Sequence, residues 1–178
     1  AFVTKAKDLI DNIVASRSQN PGFQKGIVID WEPYTFNEWR QLKDWTPFIE
    51  NVAKPIIAIA KANGVSIKFC MPFWAPNSRD PDTGDLIADK RSVLNLVKLF
   101  KDNDISIYNM AYPAKKWMDK RAPSFQAGLI TGYDRFWQKT GVRHTVVFEC
   151  EKRSSYADVD SAFSFAEDPT ALPLTYNA

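Results

Sequence analysis

The chain has 178 residues, 45% of them apolar, which is enough for one well-packed domain. Its net charge of +2 comes from interspersed acids and bases, with no basic block or acidic tail to suit a nucleic acid or a membrane surface. No apolar run approaches the roughly 20 residues of a membrane span, and the N-terminus carries no signal-peptide pattern. Six Trp and 11 Pro are the compositional oddity. Core packing and exposed aromatic platforms can both use such residues.

In chain order, Phe2 to Ser16 is expected to form an amphipathic helix with Phe2, Ala6, Leu9, Ile10, Ile13 and Val14 on one side. Asn20-Pro21-Gly22 is expected to turn the chain, and strand one to run from Gly26 to Asp30. A long helical region comes next, from about Phe36 to Ala62. Pro47 suits a helix start with Thr46 as cap, so a break is expected near residue 46, and Pro55 should kink the helix beyond it. Asn63-Gly64 closes the region. Strand two is Val65 to Met71. Asn77 to Asp85 is a polar loop, expected to be the most mobile part of the chain, and Ala88 to Lys101 a helix. Strand three is Ile105 to Met110, and a helix spans roughly Ser124 to Thr140. Strand four is Thr145 to Cys150, and Tyr156 to Phe165 has a helical pattern.

Four near-continuous apolar strands alternating with helices predict an α/β fold with parallel, helix-covered strands. No internal repeat and no linker divides the chain. A complete (β/α)8 TIM-type barrel takes about 250 residues and rarely fewer than about 200. The pattern therefore fits a small open α/β sheet, or four βα units equal to the second half of a barrel. The leading helix favours the barrel, as a crossover into strand one. A flavodoxin-like sheet would need a ligand loop after strand one, and none is evident.

Gly26-Ile27-Val28-Ile29-Asp30-Trp31-Glu32-Pro33-Tyr34 is the most informative stretch. Strand side chains alternate, so Val28, Asp30 and Glu32 share one face and Ile27, Ile29 and Trp31 the other. Acids at the C-terminal end of a buried parallel strand sit where β/α folds place their chemistry. Two neighbouring carboxyls repel when both ionised, so one keeps its proton. That suits Glu32 as a general acid with Asp30 as its partner. The plainer alternative is a buried Asp–Lys pair beside an exposed Glu.

Strand four places Val147, Glu149 and Glu151 on one face, as a second acid pair or a rim salt bridge. Strand three places Ser106, Tyr108, Met110 and Tyr112 together, with Asn109 between them. Strand two places Ser66, Lys68 and Cys70 together. If that face is interior, Lys68 needs a negative partner, with Asp30 and Glu149 the natural candidates. Trp31, Tyr34, Trp74 and Trp117 near strand ends are candidate stacking platforms, with ordinary packing as the alternative for each. Cys70 and Cys150 are expected as two buried free thiols. His144 falls at the N-terminal end of its strand and has no assigned role. No metal-ligand spacing, glycine-rich phosphate loop or nucleophile elbow is present, so no cofactor is expected.

The helix followed by Gly-Ile-Val-Ile-Asp-Trp-Glu-Pro-Tyr resembles the fourth βα unit of glycoside hydrolase family 18, the family of chitinases and endo-β-N-acetylglucosaminidases. Asp30 and Glu32 match the last two acids of its Asp-x-x-Asp-x-Asp-x-Glu motif. Met110-Ala111-Tyr112 is similar to the Met-x-Tyr that ends its sixth strand, and Met71-Pro72 resembles the end of its fifth. The resemblance implies Glu32 as general acid/base, Asp30 orienting a substrate acetamido group that attacks the anomeric carbon, and Tyr112 bonding to that group. Val28 stands where the family has its middle Asp, and the first Asp lacks a clear match.

Trp31-Glu32-Pro33 also resembles the Asn-Glu-Pro of clan A retaining glycosidases. That implies Glu32 as acid/base and Glu149, three strands later, as nucleophile, about 5–5.5 Å away. Either resemblance implies a polysaccharide or glycan substrate, with Trp31, Tyr34, Trp74, Met110, Asn109, Glu151 and Lys68 as substrate contacts. It also implies a secreted or extracellular location, and the rest of the barrel on another segment or chain. A barrel-derived carbohydrate-binding or scaffold domain is the alternative without catalysis.

Overall fold

The computed structural model describes residues 2–19, 26–33, 42–79, 84–110 and 134–147. Helix α1 (Phe2–Gln19) leads into β1 (Gly26–Ile29). A helical run then passes through α2 (Thr46–Phe48), a π-helical turn (Ile49–Ala53) and α3 (Lys54–Ala62). After it come β2 (Ser66–Pro72), α4 (Lys90–Asp102), β3 (Ser106–Met110), a helical turn at 134–138, and β4 (His144–Val147). The expected turn at Asn20 to Gly22, the tail helix from Tyr156, and the expected helix before residue 42 lie outside the described residues, as do 124–133 and 148–150.

The fold is mixed α/β around one four-stranded parallel sheet, ordered β1-β2-β3-β4. Each strand steps to the next neighbour in the same direction, with no reversal across the sheet. Register pairs Val28 with Lys68, Lys68 with Ser106, and Cys70 with Tyr108. Tyr108 in turn pairs with Thr145, and Met110 with both Pro72 and Val147.

The pleat sorts the strands cleanly. Ile27, Ile29, Ile67, Phe69, Met71 and Ile107 are buried in one core with Ala6, Ile10, Phe48, Val52, Ile56, Val93, Leu96 and Phe100 from the helices. Each such Val, Ile, Leu, Phe or Met side chain, fully buried, contributes about 1.5–3 kcal/mol relative to exposure. The alternate residues behave differently. Val28 is 51% exposed. Ser66 and Thr145 are also exposed, and Lys68, Cys70, Ser106 and Tyr108 are half-buried. The expectation of strands covered by helices therefore holds for one face only, since the described helices gather on the Ile27–Phe69–Ile107 side.

Local chemistry explains most boundaries. α1 runs three residues past the expected Ser16, because Arg17 donates to the carbonyls of Asn63 (3.0 Å) and Gly64 (2.6 Å) and anchors its last turn. Leu9 and Val14, expected on its apolar side, are exposed, while Ala6 and Ile10 are buried. The break near 46 is present, with a different cap from the one expected. Asp44 Oδ1 accepts from the Thr46 amide at 2.8 Å, while the Thr46 side chain makes no cap. Pro55 does not break the run. The turn before it widens to π, with the Lys54 amide reaching Ile49, which absorbs the hydrogen bond that Pro55 cannot donate. Gly64 takes φ +59, the left-handed backbone that closes α3. Asp89 caps α4, accepting from the Ser92 amide at 2.8 Å. The polar loop after Asn77 folds back on itself. Arg79 bridges Leu86 antiparallel, and its guanidinium donates to Gly84 at 2.9 Å. Pro72, expected just beyond β2, is its last residue.

Candidate functional site

The candidate site is the open face of the sheet at its C-terminal end. β1 stops at Ile29, and Asp30 continues its alternation, one step beyond the pair of Ile29 with Phe69. This sets Asp30 beside Cys70, so one row across the sheet reads Asp30, Cys70, Tyr108, Thr145. The row beneath it reads Val28, Lys68, Ser106. Glu32, half-buried, comes after Asp30, and Pro33 beyond it is buried.

Electrostatics ties these groups together. Partial burial pushes the Asp30 carboxyl above the usual carboxylate range, and the nearby charge of Glu32 pushes it further. Burial first, then the charges of Asp30 and Glu32, push the Cys70 thiol up to about 11. Both acids are thus near enough to Cys70 for their charges to act on its thiol. A thiol in that field is a poor nucleophile at neutral pH, because only the thiolate attacks. Cys70 is a free cysteine. Cys150 lies outside the described residues.

Lys68 does not form the expected pair with Asp30. Its ammonium sits 4.7 Å from the ring centroid of Tyr108, the next strand's residue one row on. No carboxylate among the described residues makes an ion pair with it. A ring face attracts a cation by about 0.5–1 kcal/mol at an exposed site and more when water is excluded.

The aromatic candidates split. Trp31 points to the helix side, as alternation requires, with ring centroids 4.8 Å from Phe2 and 6.3 Å from Phe48. Trp74 lies 5.9 Å from the fully buried Trp45 and packs against the core. Both serve packing, not the acids' face. Asn109 is also on the helix side, at 0% exposure, out of a ligand's reach. Met110 is buried at the end of the open-face alternation, next to Pro72 and Val147. Tyr34, Tyr112, Trp117, Glu149 and Glu151 lie outside the described residues, so their relation to Glu32 is an expectation of the sequence alone.

Two features are not legible in the chain's local pattern. Alternation places Tyr108 on the correct face but does not mark it as the seat of Lys68. The available signal is an aromatic ring one strand away from a lysine, in a row of otherwise small or acidic side chains. His144, without a role in the sequence, is half-buried and bonded to Asp134, ten residues earlier. Nothing in local periodicity announces that contact.

Among the described residues, no group of three or more His, Cys, Asp or Glu side chains could hold a metal ion. No helix among them is long and apolar enough to cross a membrane. No protein-family model, curated protein or solved structure matches the chain.

Proposed function

We propose that this chain is the catalytic half of a β/α-barrel glycoside hydrolase acting on a polysaccharide or glycan, with Glu32 as general acid/base. One observation carries the reading. Asp30, exposed, and Glu32, half-buried, follow the C-terminal end of a parallel strand, on the one sheet face the described helices leave open, and partial burial first, then the charge of Glu32, push Asp30's carboxyl up. Glycosidic cleavage needs a carboxyl acid with a second acidic or polar group beside it, and neighbouring carboxyls at a strand end supply that pairing.

The sheet topology supports the barrel part. Strands stepping in one direction with helices gathered on one face are how a barrel wall is built, whereas doubly wound sheets reverse direction and cover both faces. All-parallel sheets rarely leave a face to solvent, so the open face calls for further strands, from another segment or another chain.

In the mechanism implied by the family 18 resemblance, Glu32 protonates the leaving oxygen and Asp30 orients the substrate's acetamido group. The retaining alternative uses Glu149 as nucleophile and requires it about 5–5.5 Å from Glu32. The second reading is a carbohydrate-binding or scaffold domain, which Val28 in place of a third acid favours. An extracellular location rests on the hydrolase reading alone.

The test is Glu32→Gln on a panel of chitin oligomers, N-glycans and β-glucans. The hydrolase reading expects wild-type cleavage and a loss of at least about a thousandfold in kcat, with KM changed little, as for removal of a group that acts in the transition state. Wild-type binding without any cleavage would establish the second reading instead.

A further inference from the structure

Among the described residues, Lys68 is the one cation on the strands of the open face. Its long side chain is half-buried, and its ammonium rests on the Tyr108 ring at 4.7 Å. An ammonium withdrawn from water normally finds a carboxylate. Asp30 stands on the adjacent strand, one row away, yet the two form no ion pair. The ring attracts the ammonium but carries no net charge to neutralise it. Ser106, in register with Lys68 on the Tyr108 strand, adds a hydroxyl beside it. Among the described residues the face thus presents a positive charge seated on a ring and paired with no carboxylate, with a neutral hydroxyl in register beside it.

Position matters as much as charge. Lys68 is level with Val28, and its ammonium reaches the Tyr108 ring in the row of Cys70. Tyr108 lies on β3, two strand spacings of about 4.8 Å from β1, so an anion held there sits to the side of the acids that follow β1. One ligand can therefore reach both without bringing its charge against the acid.

We propose that Lys68, seated on Tyr108, anchors an anionic substituent of the ligand, so that the face selects acidic sugars, carrying a carboxylate or a sulfate ester, over neutral ones. This rests on the carbohydrate reading above and names its substrate class.

The experiment is calorimetric titration of the full chain with three oligosaccharides of equal length: one bearing uronic acids, its carboxyl-reduced neutral counterpart, and a sulfated counterpart of the neutral chain. Binding, not cleavage, is the readout. At least about tenfold tighter binding of an acidic ligand, weakening as salt rises, is expected, and whichever acidic ligand binds tighter identifies the substituent. Lys68→Gln should erase the preference, bringing the acidic and neutral ligands to within about twofold of each other. Tyr108→Leu, which removes the seat and keeps the charge, should reduce the preference to a few-fold. Should Lys68→Gln fail to fold, wild-type NMR decides: acidic but not neutral ligand must shift the Lys68 ε-methylene and Tyr108 ring signals. Equal binding of all three, a preference for the neutral chain, or a preference that survives Lys68→Gln overturns the proposal. Cleavage separates the two readings. A chain that hydrolyses neutral glycans without acidic preference refutes the anchor and keeps the hydrolase. Acidic-sugar binding without cleavage does the reverse.

Discussion

His144 is gripped from both sides: Nδ1 lies 3.1 Å from the Val142 carbonyl and Nε2 lies 2.5 Å from Asp134 Oδ1. Both partners are acceptors, so only the imidazolium, with two N–H donors, satisfies both. Burial opposes the charge, but the hydrogen bonds and charge of Asp134 and the Val142 carbonyl outweigh it, and the pKa is raised above 6.5. The contact ties the helical turn 134–138 to the start of β4.

The sign of the pH dependence is set by that raised pKa. Below 6.5 the ring is protonated in both folded and unfolded chains, and the full contribution is present. As pH rises through the raised folded pKa the ring deprotonates in the native state too, and the contribution disappears. Asp134→Asn should thus lower stability by about 1.5–3 kcal/mol at pH 5.5, and by clearly less at pH 8.5. Urea unfolding at the two pH values checks this. Equal losses at both would mean that the ring is not charged in the native state.

Asn109 is the opposite case, a buried polar side chain left without a partner. Neither its amide nitrogen nor its oxygen finds a hydrogen bond, at 0% exposure on the helix side of β3. Leaving such a group unsatisfied costs about 1–3 kcal/mol. Asn109→Leu, close in shape, should raise the urea midpoint with an unchanged slope. A loss of stability would place Asn109 in contact with a bound water.

Cys70 offers a chemical probe of the acids. With its thiol at about 11 instead of 9.0, its thiolate fraction at pH 8 is about a hundredfold lower than for a thiol titrating at 9.0. In a Cys150→Ser background, alkylation by iodoacetamide should be slow. Burial contributes most and will persist, but Asp30→Asn should quicken the reaction several-fold by removing one of the opposing charges. An unchanged rate would place the Asp30 carboxyl away from Cys70.

Gly26 is required by the approach of β1 to β2. A Cβ there would meet Ser66 Oγ at 2.1 Å and the Ser66 carbonyl at 2.9 Å. The serine side chain can rotate away, but the carbonyl is backbone and cannot. Gly26→Ala should therefore cost about 1–3 kcal/mol in thermal unfolding, and Ser66→Ala alongside it should recover only part.

Arg17 should prove a hinge pin between α1 and the end of α3. Its guanidinium serves two carbonyls on consecutive residues, a fork that a lysine cannot reproduce. Both Arg17→Met and Arg17→Lys are expected to lower stability by about 1–2 kcal/mol, with the lysine variant recovering little. Full rescue by lysine would reduce the contact to simple charge at a helix end.

Alternation and punctuation are enough to place the four strands and the described helices between them. Runs such as Ile105 to Met110 have no polar period of their own except the strand's, and Asn63-Gly64 can end a helix but not continue it. The same period puts Asp30 and Glu32 on one face and Trp31 on the other, independent of any tertiary contact. These are properties of a few consecutive residues, and a sequence carries them directly. Tertiary structure decided what each face meets. It turned Trp31 and Trp74 into core, sealed Asn109 away from ligand, seated Lys68 on Tyr108 in place of Asp30, and brought Asp134 to His144. Each of those outcomes depends on which strand lies beside which and at what register. That choice is made by the packing of the whole sheet against its helices, and no local pattern encodes it.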